Sequence, residues 1–229
     1  MSNKFALLLC LLALALCSLP AMAQQTFFSD LGTGSDVYNS SDGWTMAGTG
    51  TLGTYYYDAN EFTSGMTGAV TQIDIGLGYV TGTNSFFAAL YTASGSDPGT
   101  LIEQWNNLTS SQNFGGCCGL VTISGITGVD LTAGTSYFLV IGPTNLSATT
   151  WEAWNWNSTG ATGLLLQASS GCSNGSASGC SWNNYNDETL GAFDIIGSTG
   201  QTIPEPSSLL LLGTGLVGAF ATVRRKLMR

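Results

Sequence analysis

Between Lys4 and Arg224 the chain contains no lysine, arginine or histidine. All fourteen of its acidic residues fall inside that stretch, thirteen of them from Asp30 to Asp194, with nothing of opposite sign beside them. A fold built from such a segment can hold no internal salt bridge. Its stability has to come from apolar burial, backbone hydrogen bonding and cross-links. The same gap removes whole classes of function. An uncompensated negative surface repels phosphate backbones, which excludes nucleic acid as a partner. Without histidine, neither a Ser-His-Asp triad nor a histidine-ligated zinc site can be assembled. Without lysine, lysine-assisted serine chemistry is also lost, although Gly171-Cys172-Ser173-Asn174-Gly175 spells a nucleophile-elbow pattern.

Both ends of the chain depart from this composition. Lys4 is followed by fifteen uncharged, mostly apolar residues, Phe5 to Leu19, and then by Pro20 and Ala21-Met22-Ala23. The pattern predicts a signal peptide over residues 1–23, passed through the Sec translocon and cut by signal peptidase before Gln24. Cys17 offers a lipidation site, but Leu16 before it is larger than lipoprotein processing usually accepts. At the other end Pro204-Glu205-Pro206 precedes seventeen uncharged residues, 207–223, and Arg224, Arg225 and Lys226 follow at once. As a helix the span reaches about 25 Å, which crosses a hydrocarbon core of about 30 Å with local thinning. The basic cluster predicts a cytoplasmic carboxyl end. The two prolines hold Ile203 and Glu205 extended, a form that a protease-like active site can grip.

The order of Pro-Glu-Pro, leucine-rich span and basic stop resembles the PEP-CTERM sorting tails of Gram-negative bacteria, which the membrane transpeptidase exosortase handles. The resemblance implies that residues 204–229 are a sorting tail and that Pro204, Glu205 and Pro206 form the cleavage motif. It also implies exosortase as a partner and transient anchorage in the inner membrane. Delivery to the cell surface or extracellular matrix follows, with exopolysaccharide and biofilm as the expected setting.

The region between the targeting segments, residues 24–203, is long enough for one domain with a substantial core. Glycine, serine and threonine are abundant, and turn-rich stretches separate short apolar segments, which predicts an all-β fold, a single jelly-roll-like β-sandwich. Ala69 to Val80 reads as one strand, with Ile73, Ile75, Leu77 and Tyr79 on one face. From Asn84 to Thr92 both faces are apolar, Phe87, Ala89 and Tyr91 alternating with Phe86, Ala88 and Leu90. That is the pattern of a central strand covered on both sides. Leu101–Trp105, Leu120–Ile123, Ser136–Ile141, Trp151–Trp156, Gly163–Ala168 and Leu190–Ile196 bring the expectation to eight to ten strands, with no amphipathic helix. Ala89-Leu90-Tyr91, Asp97-Pro98-Gly99-Thr100 and Leu131-Thr132-Ala133-Gly134-Thr135-Ser136-Tyr137, with a later tryptophan, resemble choice-of-anchor β-sandwich domains of bacterial surface proteins. That likeness implies location more than activity.

Four cysteines remain after signal cleavage: Cys117, Cys118, Cys172 and Cys180. In an oxidising compartment they predict disulfides, and avoidance of a bond between neighbours favours pairing across the two loops. Thirteen carboxylates leave a two-carboxylate glycosidase open, with Glu152 between Trp151 and Trp154 as the acid and Asp187 or Glu188 as its partner. The more economical expectation is a protein that is not an enzyme. Trp151, Trp154, Trp156, Trp182 and Tyr185, set among Asn155, Asn157, Asn183 and Asn184, suit a carbohydrate-binding module or adhesin, since flat apolar rings and amides together recognise sugars. Calcium is the one cofactor considered, on an expected loop from Asn183 to Glu188.

Overall fold

A computed structural model of the protein describes residues 24–200. The expected signal peptide, Pro204-Glu205-Pro206, the span 207–223 and Arg224, Arg225 and Lys226 lie outside the described residues. Within them the chain forms strands β1 (Gln25–Ser29), β2 (Tyr38–Ala47), β3 (Tyr57–Thr63), β4 (Gly68–Ile75), β5 (Leu77–Thr81), β6 (Phe86–Ser94) and β7 (Asp97–Leu108). Then follow β8 (Gln112–Asn113), β9 (Val121–Ser124), β10 (Asp130–Leu131), β11 (Ser136–Pro143), β12 (Trp151–Asn157), β13 (Thr162–Ala168), β14 (Trp182–Thr189) and β15 (Phe193–Ser198). One four-residue helix, α1 (Thr49–Leu52), lies between β2 and β3. Among the described residues no helix is long and apolar enough to cross a membrane.

The strands make three sheets. The largest runs β14-β13-β3-β11-β6-β7, a second runs β1-β15-β4-β10 with β9 also on β4, and a third runs β2-β12-β5-β8. Nearly all pairings are antiparallel, as the short connections require. The architecture is an all-β sandwich.

The two-faced pattern read in β6 is what organises the core. Phe86, Ala88 and Leu90 join Leu139 and Ile141 of β11 and Phe62 of β3, and pack against Ile73, Ile75, Ile195, Leu77 and Trp154 from the two smaller sheets. Phe87, Ala89 and Tyr91 point the other way, with Phe138, Val140, Tyr57 and Leu166. Among the described residues no further sheet covers that second face. A roof is supplied instead by the loop between β13 and β14, whose Cys172 and Ala177 are buried against it. Each large side chain sealed in this way contributes about 1.5–3 kcal/mol of hydrophobic stabilisation, the term the chain needs in place of ion pairs.

Several expectations are corrected here. Ala69–Val80 is not one strand: it divides at Gly76 into β4 and β5, which belong to different sheets. Gly76 N–H donates to Ala192 O at 2.9 Å, and a Cβ at Gly76 would stand 3.0 Å from the Tyr38 ring, so a glycine marks the crossing. The segment from Asn183 to Glu188 is not a loop; it is part of β14, the exposed edge strand beside β13. The cysteines pair as Cys117–Cys118 and Cys172–Cys180, not across the loops. Their loops dock in different places. Residues 115–119 are held on β2 by Gly115 N–H to Ser40 O (3.0 Å) and Tyr38 Oη–H to Gly119 O (3.1 Å). The 171–181 loop sits on the second core, where Tyr57 Oη donates to Ser173 O at 3.2 Å.

Candidate functional site

A pairing irregularity between β2 and β12 builds the site. Trp154 is opposite Trp44 and Asn155 opposite Gly43, but the next residue, Trp156, pairs with Asn39. Ser40, Ser41 and Asp42 are therefore extruded from the ladder as a bulge. Asn39 fastens it: its Oδ1 accepts from Ser41 N–H and its Nδ2 donates to Asp42 Oδ2, both at 3.0 Å. The bulge leaves Trp156 beside Trp44, with ring centroids 6.1 Å apart. Tyr185 of β14 also lies beside Trp44, again with ring centroids 6.1 Å apart. Trp44 also ties two sheets together, donating its Nε1–H to Thr189 O at 2.8 Å.

Trp156 and Thr189 line an open cleft of about 580 Å³ together with Asp36, Tyr38, Asn157 and Cys117. Asn157 is structural: its Nδ2 donates to Ala161 O (2.8 Å) and Leu190 O (2.9 Å), which fixes the turn beneath the cleft. Tyr38 Oη is committed to the 115–119 loop. The Asp36 side chain is exposed and has no hydrogen bond among the described residues, whereas the Trp156 indole N–H, also without a partner, is buried and does not reach the cleft. A flat ring beside a free carboxylate suits the face and hydroxyls of a sugar.

The aromatic residues singled out in the sequence do not form one surface. Trp156 and Tyr185 belong to the row around Trp44. Trp182 is elsewhere, at a smaller pocket of about 430 Å³ with Tyr91 and Leu101 under the edge of the disulfide-bonded loop. Trp151 is half-buried at the start of β12, against Ala47 and Thr81. Trp154 is fully buried, its Nε1–H donated to Ala192 O at 3.1 Å, and it cannot touch a glycan. A Cβ at Gly191 would come within 2.5 Å of that indole, which shows how tightly it is enclosed. Asn155 is sealed in as well, whereas Asn183 and Asn184 are exposed on β14.

The carboxylate pair expected of a glycosidase is not assembled. Glu152 is fully buried, with Oε2 accepting from Ser110 Oγ, and burial pushes its pKa up to about 7. Asp187 and Glu188 are exposed on β14, so no common cleft holds all three. Asp58, Asp30 and Asp194 are likewise held towards their protonated forms. Burial raises Asp58 to about 8 against a hydrogen bond from Gln167, and Asp30 to about 7 against one from Phe193 N–H. Asp194 faces Asp74 across β15 and β4 and is raised to about 7, first by burial and then by the Asp74 charge. With no cation in the domain, a proton is the only neutralising partner such groups have. Among the described residues no three acidic or cysteine side chains gather as metal ligands.

Sequence reasoning missed Trp44, Asp36 and Asn39. The signal for Trp44 was a single large ring at the end of the polar run Ser40-Ser41-Asp42-Gly43; with Met46 two residues further on, it is half-buried and packs against the main core.

The exported region is thus an all-β sandwich bearing an aromatic cleft at a seam between two sheets. Its delivery is set by the carboxyl end, where residues 202–226 match the PEP-CTERM protein-sorting motif. The motif marks an exported protein that is anchored transiently in the membrane and processed by exosortase. A search of the curated proteins returned no match to the chain.

Proposed function

We propose that the protein is a non-enzymatic component of the cell surface or extracellular matrix of a Gram-negative bacterium, retained there by exopolysaccharide. The β-sandwich binds the glycan through Trp44, Trp156 and Tyr185. The observation that carries this reading is the group of three rings: Trp156 and Tyr185 each lie with ring centroids 6.1 Å from Trp44, they come from three strands of two sheets, and Trp156 lines a cleft. Rings spaced along a surface match successive sugar residues of a polymer better than a compact small molecule. The glycosidase reading loses its acid, since Glu152 does not reach solvent.

Co-sedimentation with exopolysaccharide prepared from the host tests the proposal. The wild-type protein is retained, whereas Trp44→Ala and Trp156→Ala lose retention by at least about tenfold, in line with the weight of central aromatic anchors. Equal retention of both variants, with unfolding curves like the wild type, refutes it.

A further inference from the structure

We infer that the Cys117–Cys118 disulfide is a ligand-contacting wall of the cleft, a second apolar surface that meets the sugar unit stacked on Trp156. The inference rests on the glycan reading above and adds residues that touch the same sugar. What this bond cannot do comes first. A disulfide stabilises a fold mainly by closing a length of unfolded chain, and the stabilisation grows with that length. Cys172–Cys180 has a sequence separation of 8 and cross-links the roof of the second core, whereas Cys117–Cys118 has a separation of 1 and staples no two elements together. Its remaining effect is local: two thiols, each a weak donor, become a pair of sulfurs that carry no proton.

The place of the bond gives that local effect a use. Cys117 is exposed and lines the cleft together with Trp156. Tyr38 in the same lining is sealed, which leaves the half-buried Trp156 ring and the disulfide as the apolar side chains a ligand can touch there. The rest of the lining is polar, with Asp36, Asn39, Ser158 and Thr189 among it. Both sulfurs rest against Ser35 O, Cys118 Sγ at 3.5 Å and Cys117 Sγ at 3.7 Å. The segment that carries them is fixed to two strands of one sheet, since Gly115 N–H donates to Ser40 O of β2 at 3.0 Å and Phe114 N–H donates to Tyr79 O of β5 at 2.8 Å. A surface held in this way loses little freedom when a ligand settles on it. A pyranose has apolar C–H faces and a rim of hydroxyls. One face stacks on Trp156, further C–H groups meet the polarisable sulfurs, and the hydroxyls reach the polar lining. A metal ion is a poorer occupant, because sulfurs bonded to each other are not thiolate ligands and no three acidic or cysteine side chains converge among the described residues.

The test is a footprint on the wild-type, full-length protein in non-ionic detergent. The probe is a set of oligosaccharides released from the host exopolysaccharide by partial acid hydrolysis, whose binding is first measured directly. A water-soluble phosphine then reduces the protein with and without the probe, and alkylation followed by peptide mass gives the reduction rate of each disulfide. With the probe at about ten times its half-saturating concentration, reduction of Cys117–Cys118 is expected to slow by about tenfold, as mass action requires of a site closed by its ligand. Cys172–Cys180, on a separate loop, is the internal reference and keeps its rate. Replacing Cys117 and Cys118 together by alanine is expected to weaken binding by about three- to fivefold, the weight of a small apolar contact, and to leave the unfolding midpoint in place. Trp156-dependent binding without protection of Cys117–Cys118 overturns the inference and leaves the glycan reading standing. Equal slowing of both disulfides overturns it too, since the probe then acts on the whole fold or on the reductant. Protection together with undiminished binding of the double alanine variant overturns it as well, because the sulfurs are then shielded without contributing. Absence of any binding overturns both readings.

Discussion

Asp58→Asn should flatten a pH dependence of stability that runs opposite to acid denaturation. Asp58 sits in β3, fully buried, with Oδ1 accepting from Gln167 Nε2 at 2.9 Å and Oδ2 without a partner. Burial lifts its pKa from 3.8 to about 8. The native state therefore keeps a proton that the unfolded chain releases above about pH 4, and the native state binds more protons between those values. Stability from this group is complete below about pH 4 and is lost as pH rises through about 8. From about pH 5 to about pH 8 the change spans three pH units at 1.36 kcal/mol each, a ceiling of about 4 kcal/mol, or roughly 10 °C in Tm for a domain of this size. Asp30 and Glu152, raised to about 7, act in the same direction but add little above that pH. Asparagine keeps the acceptor for Gln167 and has no proton to lose. Urea unfolding followed by tryptophan fluorescence at the two pH values should show the wild type weakening towards alkaline pH, and Asp58→Asn weakening less by up to that ceiling. Asp36→Asn, at an exposed position, should keep the wild-type slope. A wild-type protein more stable at the higher pH, or an Asp58→Asn variant with an unaltered slope, refutes the reasoning.

Trp154→Ala should cost about 3–5 kcal/mol in denaturant unfolding, the usual penalty for emptying a large aromatic site in a core, whereas Tyr185→Ala should stay within about 0.5 kcal/mol. Comparable stabilities for the two variants would remove the distinction between core and surface aromatic residues. Replacing Cys172 and Cys180 together by serine should cost about 2–3 kcal/mol, as expected for releasing a loop closed over eight residues, and should expose residues 171–181 to limited proteolysis. An unchanged cleavage pattern would mean that the loop roofs the second core without its cross-link.

The parts of the fold that were legible in sequence are those where side-chain chemistry and burial agree. β6 carries large apolar groups on both faces, and both faces are covered, so its alternation was readable. β2 and β14 were not, for different reasons. β2 is interrupted by the Ser40-Ser41-Asp42 extrusion, which erases its period of two, and β14 is an edge strand whose polar side chains meet water on most sides. The division of β4 from β5 leaves no trace in the apolar pattern, because Ile73, Ile75 and Leu77 are buried on either side of Gly76; the close approach of the Tyr38 ring, distant in sequence, decides it. The site was half legible for the same reason. Aromatic content near residues 151–185 was visible, but which rings enter the core depends on cross-strand partners. Trp154 and Trp156 are two residues apart in one strand, and only the irregular pairing with Asn39 separates a core indole from one that lines a cleft.

Delivery by the sorting tail is the claim from which the surface role and the glycan reading both follow. Intact-mass analysis of the protein recovered from the host, with and without its exosortase, tests it most directly. With the enzyme present, the extracellular product should begin at Gln24 and end at or near Pro204-Glu205-Pro206, and without it the chain should remain with the cells and keep its carboxyl end. A product that retains Arg229 and stays inside the cell in both strains contradicts the account.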